Sequence, residues 1–171
     1  MARSKFKDYS SAFRIPESSV NCIRYINSCK YICTDEGLYI IDPLDRMVTN
    51  GLTDILSGVG VNDVMADSEG NIWVSTFRRY GVIMWSKSGT TKYYGRSSQL
   101  PSNQVNCTYE LSSGKIAVAT SEGLGIIAGD ALETRYTAAD GLENANITAI
   151  AEDDKGRILV GIIHCVLEDL A

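Results

Sequence analysis

The sequence predicts an all-β protein built as a β-propeller of about four four-stranded blades. A short apolar motif recurs with starts near Val20, Val61, Val105 and Ile147. The starts are about 41–44 residues apart, the usual length of a propeller blade. No stretch carries the 3.6-residue period of an amphipathic helix, so we expect helices to be nearly absent. A β-sandwich has similarly short strands but lacks such a repeat.

Each unit divides into the same succession of short strands. A second apolar strand begins about 11 residues after each start, by the same repeat logic, at Tyr31, Ile72, Ile116 and Ile158. Three units continue with a glycine-led apolar strand and then a more polar strand. We expect the third strands within 36–41, 80–85 and 122–127 and the fourth within 45–49, 90–94 and 132–137. Four strands per unit are typical of propeller blades.

The two ends of the chain decide how the blades are counted. The fourth unit ends without an outer strand, and residues 5–10 have the aromatic and charged pattern of the outer strands. We therefore predict a single domain over 1–171 in which 5–10 supplies an outer strand. Three arrangements stay open: half of a larger ring completed by a second copy, a closed four-bladed ring, or an open arc. The two-copy ring is favoured because it leaves no strand edge exposed.

Several features have a structural interpretation. Asn21, Asn62 and Asn106 recur at the second position of the inner strand, and we predict that they cap a backbone group between blades, with lining of the channel as the alternative. The acidic stretches 67–71 and 153–156 are interpreted as hairpin turns, because they lack the spacing and terminal glutamate of a calcium loop.

Composition excludes several classes of function. The net charge of −5 argues against nucleic acid as a partner. The first residues lack the apolar core of a signal peptide, so we expect none in the chain as given, and no apolar run approaches the length of a membrane span. The five cysteines form no metal-binding pattern; we expect small buried residues, with a disulfide between Cys22 and a neighbour on an adjacent strand as an alternative. His164 is the only histidine, and we predict no catalytic residues, no metal and no cofactor.

The repeat resembles that of the two-component regulator propeller family. The resemblance rests on the segments 100–107 and 70–76 and on the pairs Gly51-Leu52 and Gly141-Leu142. It implies an extracytoplasmic sensor region of a bacterial membrane receptor. Such regions precede a membrane span and a histidine kinase or a diguanylate cyclase, and in several members the input is an oligosaccharide or another small nutrient. The family typically has a larger ring than four blades.

Ligands of propellers bind at the channel mouth, on loops between strands. The loops after the second strands are therefore the candidate ligand-binding site. The loop of the second unit is longer and differs in kind, since it offers aromatic faces for sugar rings and guanidinium groups for carboxylates or phosphates. The candidate residues are Phe77, Arg78, Arg79, Tyr80, Asp35, Glu36, Ser121 and Glu122.

We therefore predict a non-enzymatic, ligand-sensing propeller module of a bacterial membrane receptor. Its expected partners are a small molecule or oligosaccharide, a second copy of the chain, and a kinase or cyclase output domain in a parent chain. One alternative is a protein–protein interaction scaffold. Another is a propeller lyase or glycan-active enzyme, which would need clustered histidines and carboxylates at the channel mouth.

Overall fold

The computed structural model describes residues 8–162 and 167–170. It contains four antiparallel sheets, each with its strands in chain order. Blade 1 consists of β1 (Val20–Ile26), β2 (Cys29–Thr34), β3 (Gly37–Ile41) and β4 (Met47–Val48). Blade 2 consists of β5 (Val61–Ala66), β6 (Ile72–Thr76), β7 (Val82–Trp85) and β8 (Thr91–Tyr94). Blade 3 consists of β9 (Val105–Glu110), β10 (Ile116–Thr120), β11 (Gly123–Ala128) and β12 (Ala131–Tyr136).

Blade 4 has three strands within the described residues: β13 (Ile147–Glu152), β14 (Ile158–Ile162) and β15 (Leu167–Leu170). The inner strands β1, β5, β9 and β13 lie side by side in that order. In the described part of the chain, β1 and β13 do not pack together, so the row of blades is not closed into a ring. The prediction of a partial β-propeller is therefore confirmed, and the inner strands begin at the four predicted residues.

The hydrophobic core lies between consecutive blades. One cluster joins blades 1 and 2 and contains Val64 and Val74, a second joins blades 2 and 3, and a third joins blades 3 and 4. Each cluster receives at least one leucine from the segment that enters the next blade, and Leu52, Leu100 and Leu142 are all at most 5% exposed. Burial of a leucine side chain contributes about 1.5–3 kcal/mol, so these leucines hold the blades together.

Helices are short. α1 (Tyr9–Phe13) precedes blade 1, and α2 (Gly51–Ile55) connects blades 1 and 2. A capping box begins α2, because the side chain of Asn50 accepts from the backbone amide of Thr53 while the Thr53 hydroxyl accepts from that of Asn50. Two 3₁₀ turns, Arg96–Ser98 and Ala138–Asp140, lie in the later connections.

The outer strand predicted at 5–10 is not found where the structure describes this segment. Residues 5–7 lie outside the described residues, and Tyr9 already belongs to α1. Phe13 and Ile15, which follow, pack against Ile32 and Ile41 on the face of blade 1 that points away from blade 2. This apolar contact places the chain across that face, and the backbone that leads into it is helical from Tyr9 onwards.

The acidic stretches are turns, as predicted. The backbone amide of Asp67 donates to the Asn71 carbonyl, and that of Asp153 donates to the Arg157 carbonyl. The carboxylate of Asp67 accepts from the indole nitrogen of Trp73 at 2.7 Å. No group of three or more metal-ligating side chains occurs among the described residues.

Candidate ligand-binding rim

The loops after the second strands lie at the same edge of the row as the connections between blades. Three equivalent hydrogen bonds place them there, from the first residue of each loop to the residue that precedes the inner strand. The amide of Asp35 donates to the Ser19 carbonyl (3.2 Å), that of Phe77 to Gly60 (2.8 Å), and that of Ser121 to Gln104 (3.0 Å). We call these six residues the rim.

The rim is continuous from blade 1 to blade 3. Gly60 lies between two of the candidate residues: a Cβ on it would stand 3.2 Å from the Cβ of Phe77 and 3.5 Å from the Asp35 carbonyl oxygen. Phe77 also forms an antiparallel bridge with Gln104, which in turn accepts from Ser121. The structure thus brings Asp35, Phe77 and Ser121 into one row.

A repeated asparagine lies just below the rim and joins each blade to the next. The side-chain amide of Asn21 donates to the Val61 carbonyl at 3.0 Å. That of Asn62 donates to Val105 at 2.7 Å, and that of Asn106 donates to Ile147 at 2.6 Å. The prediction that these asparagines cap a backbone group between blades is confirmed. Asn21 also donates to the Asp35 carboxylate at 2.9 Å, so this carboxylate has a structural partner.

All three loops share a closing contact at their base. The hydroxyl of the last residue of the second strand donates to the carbonyl of a glycine at the start of the third strand or directly before it, in Thr34–Gly37, Thr76–Gly81 and Thr120–Gly123. In blade 2 this closure encloses Phe77–Tyr80, which is longer than its counterparts by the residues Arg78 and Arg79. The two additional residues therefore extend the loop locally and leave the closing hydrogen bond at its base unchanged; we call Phe77–Tyr80 the excursion.

The excursion presents two stacked arginines. The guanidinium carbon of Arg78 lies 4.7 Å from the ring centre of Phe77, and that of Arg79 lies 5.2 Å from the ring centre of Tyr80. The Tyr80 ring in turn packs on Tyr93 at 5.4 Å. Arg78 adopts a left-handed backbone conformation, with φ of 74°, which costs a residue with a side chain about 1–2 kcal/mol.

Neither of these arginines forms an ion pair within the part of the chain that the structure describes. By contrast, Arg96 pairs with Glu122, and Arg24 pairs with the buried Asp63 at 3.0 Å. A guanidinium stacked on a ring keeps its N–H edge available, so Arg78 and Arg79 can bind an anionic group.

The remaining candidate residues occupy two separate clefts. Glu36 lines a cavity of about 300 Å³ between blade 1, Phe13 and α2. Glu122, together with Ser121 of the rim, lines a wider cleft of about 620 Å³ between the connections that enter blades 3 and 4. The eight candidates therefore do not form one pocket: Asp35, Phe77 and Ser121 lie along the rim, while Glu36 and Glu122 point to different neighbours.

Sequence reasoning missed polar residues of the wider cleft, namely Arg96, Arg135, Asn144 and Asn146. Arg96, Asn144 and Asn146 belong to the connections that enter blades 3 and 4, whereas Arg135 belongs to the outer strand β12. The sequence offered a signal for these residues, because strand direction alternates within a blade. The connection to the next blade and the loop after the second strand must therefore lie at the same edge of the sheet. His164 lies outside the described residues.

No helix in the described residues is both long and apolar enough to pass through a bilayer. Burial raises the pKa of the Cys107 thiol to about 11. This inner-strand cysteine is therefore protonated at neutral pH and serves as a small packing residue.

The comparisons with known proteins agree with this architecture. The model of the family described as two component regulator propeller matches residues 55–78, which include β5, β6, Phe77 and Arg78. No curated protein matches the sequence. Among solved structures, the chain is similar to the extracellular domain of a hybrid two component system from B. thetaiotaomicron, with 25% identity over 84% of this chain and 20% of that one, and a TM-score of 0.68.

Two further likenesses concern the fold alone. The extracellular domain of a one component system from B. thetaiotaomicron aligns with 18% identity over 89% of this chain and 21% of that one, with a TM-score of 0.66. Virginiamycin B lyase from Staphylococcus aureus aligns with 13% identity over 92% of this chain and 57% of that one, with a TM-score of 0.67. The chain thus spans about a fifth of the length of the two extracellular domains. It is a partial β-propeller that carries a two component regulator propeller repeat, and the family resemblance predicted from the sequence is confirmed.

Proposed function

We propose that this chain is the ligand-sensing propeller part of a bacterial membrane signalling receptor and that it is not an enzyme. The observation that carries the proposal is its likeness, over 84% of its length, to the extracellular domain of a hybrid two component system. The same likeness supports an extracytoplasmic location for the chain. A kinase or cyclase in a parent chain would transmit the signal.

The ligand of this proposal is a small molecule or oligosaccharide that contacts Phe77–Tyr80. Three features support this segment: it departs from its counterparts in blades 1 and 3, it is held in a left-handed conformation at Arg78, and its two guanidinium groups have no carboxylate partner among the described residues. Backbone strain of this kind tends to persist at ligand-binding sites. We propose that Asp35 and Ser121, which flank Phe77 along the rim, contact the same ligand.

A thermal-shift screen of the full chain tests the proposal. The panel contains neutral oligosaccharides, oligosaccharides that carry carboxylates, and small di- and tricarboxylates. A ligand at 100 times its Kd stabilises the folded state by about 2.7 kcal/mol, which corresponds to a rise in Tm of roughly 5–10 °C for a domain of this size.

The double variant Arg78→Ala/Arg79→Ala should lose the shift produced by a hit. Arg46→Ala is the matched control, because Arg46 is also exposed but pairs with Asp42 in a turn of blade 1. A panel without any hit would count against ligand sensing, and a hit that the double variant binds unchanged would remove the site from Phe77–Tyr80.

We also propose that the chain self-associates through blade 1. The fourth position of the inner strand faces the preceding blade: Val64 in blade 2 is fully buried, and Thr108 in blade 3 is 7% exposed. The same position in blade 1 is Ile23, which is 62% exposed, and Tyr25 beside it is 71% exposed. A second copy that covered this face would bury both side chains. The same exposed face favours the alternative function, an interaction scaffold for a different protein.

A further inference from the structure

Two cysteines face each other inside blade 1. Cys22 in β1 and Cys33 in β2 are direct partners in the antiparallel register. Residues opposite each other in such a pair have Cα atoms about 4.5–5.5 Å apart, and a disulfide spans Cα atoms about 4.4–6.8 Å apart. Both side chains belong to the cluster between blades 1 and 2, and both thiols are free.

The surroundings give the two sulfurs different roles. The neighbouring Cys33 lowers the pKa of the Cys22 thiol, whereas Cys22 and burial raise the pKa of the Cys33 thiol. Cys22 also donates to the carboxylate of Asp63 at 3.0 Å, whose charge is balanced by Arg24. Cys22 is partly exposed whereas Cys33 is fully buried, so Cys22 is the sulfur that an oxidant reaches first.

We propose that Cys22 and Cys33 are a disulfide-forming pair that is oxidised by a small disulfide such as oxidised glutathione. The Cys22 thiol loses its proton and its thiolate attacks one sulfur of the oxidant, which releases one glutathione as thiolate and forms a mixed disulfide. The Cys33 thiol then loses its proton and attacks Cys22, which forms the Cys22–Cys33 bond and releases the second glutathione. Two thiols are oxidised, one glutathione disulfide is reduced, and the two protons end on the two glutathione thiols.

The bond would fasten the inner strand of the open blade. β1 pairs with β2 on one side only, and Ile23 and Tyr25 are exposed on its outer face. A covalent link from β1 to the buried β2 opposes the separation of this strand. We expect the oxidised protein to melt higher than the reduced protein, by up to about 10 °C.

Peptide mapping of the full chain tests the proposal. The protein is incubated with oxidised glutathione, unfolded in the presence of an alkylating reagent and digested with trypsin. Cleavage at Arg14, Arg24, Lys30 and Arg46 places Cys22, Cys29 and Cys33 on three different peptides. The expected product joins the peptides 15–24 and 31–46 and is lighter than their summed mass by two hydrogens.

Cys22→Ser should abolish this product, and Cys29→Ser is the matched control. Cys29 lies in the same strand as Cys33 and on the same face, but its partner across the hairpin is Ile26, so its removal should leave the product unchanged. Full alkylation of Cys22 and Cys33 in the treated wild-type protein would overturn the proposal. A product that joins Cys22 to any other cysteine, or two chains to each other, would overturn it as well.

Discussion

The interaction between neighbouring blades through Asn62 is open to a direct test by Asn62→Ala. The side-chain amide of Asn62 donates to the Val105 carbonyl at 2.7 Å, and Val105 is fully buried at the start of β9. The variant leaves this carbonyl without its donor. A buried acceptor that loses its partner costs about 1–3 kcal/mol, which for a domain of this size lowers Tm by about 2–4 °C for each kcal/mol.

The assay is equilibrium unfolding in urea, followed by tryptophan fluorescence, with Tm measured in parallel. Thr148→Val is the matched control, because Thr148 has the same place in blade 4 but is exposed and donates to Gly161 of its own blade. Exposed substitutions of this kind usually change stability by less than about 0.5 kcal/mol. Equal stability losses for the two variants, or none for Asn62→Ala, would refute the view that the asparagines hold the blades together.

Three further predictions follow from single contacts. Gly81→Ala should destabilise the protein far more than Gly129→Ala, as measured by Tm: both have left-handed φ values, but a Cβ on Gly81 meets a carbonyl oxygen of β8 whereas Gly129 has open space. Partial burial alone would raise the pKa of Asp67, but hydrogen bonds from Trp73 and Asn71 outweigh burial and lower the pKa below 3.8. The stability contributed by this carboxylate is therefore present above pH 3.8 and is lost as the pH falls through the folded-state pKa. The difference in unfolding free energy between wild type and Asp67→Asn, measured in urea, should shrink below about pH 4, and a pH-independent difference would contradict this. Tyr25→Ser should reduce self-association in sedimentation experiments, whereas Leu44→Ser, which removes an equally exposed side chain, should not.

The architecture could be predicted because every blade repeats the same local rules. The inner strands begin at the predicted residues, since β-branched residues there follow a polar connection and precede a turn of small and acidic residues. The role of Asn62 was also predictable, because a polar residue that recurs at one place in a repeat is held there by structure. These inferences need only the period and the residue types.

Features that depend on contacts between distant segments could not be predicted in the same way. The segment 5–10 has the composition of an outer strand, but the packing of Phe13 and Ile15 on blade 1 accompanies a helix at Tyr9–Phe13. The outer strand β4 is limited to Met47–Val48, because Asp45 has a left-handed φ of 57° and belongs to the preceding turn. The pairing of Arg96 with Glu122 joins a connection to a loop across the rim, and no spacing in the sequence announces it.

The junctions between blades are chemically different from the open ends of the row. At two junctions a serine in the first turn of one blade donates to a glutamate in the next inner strand: Ser68 to Glu110 and Ser112 to Glu152. In blade 4 the place of these serines is taken by Asp154. Asp154 has no serine hydroxyl, so blade 4 does not offer the hydroxyl donor of this contact.

The other open end departs from the pattern in a matching way. Tyr25 in blade 1 has the place that Glu110 and Glu152 have in blades 3 and 4. In blade 4, Thr148 replaces the repeated asparagine and donates to its own sheet, so it does not donate to a following blade. Association of blade 1 of one copy with blade 4 of another would therefore rest on the apolar surface of Ile23 and Tyr25. Apolar association depends little on salt and weakens on cooling, whereas a contact copied from the internal junctions would also need its hydrogen bonds. For this reason, removing the Tyr25 ring is the substitution that distinguishes a two-copy assembly from a single open row of blades. Removing a charged side chain would not distinguish them.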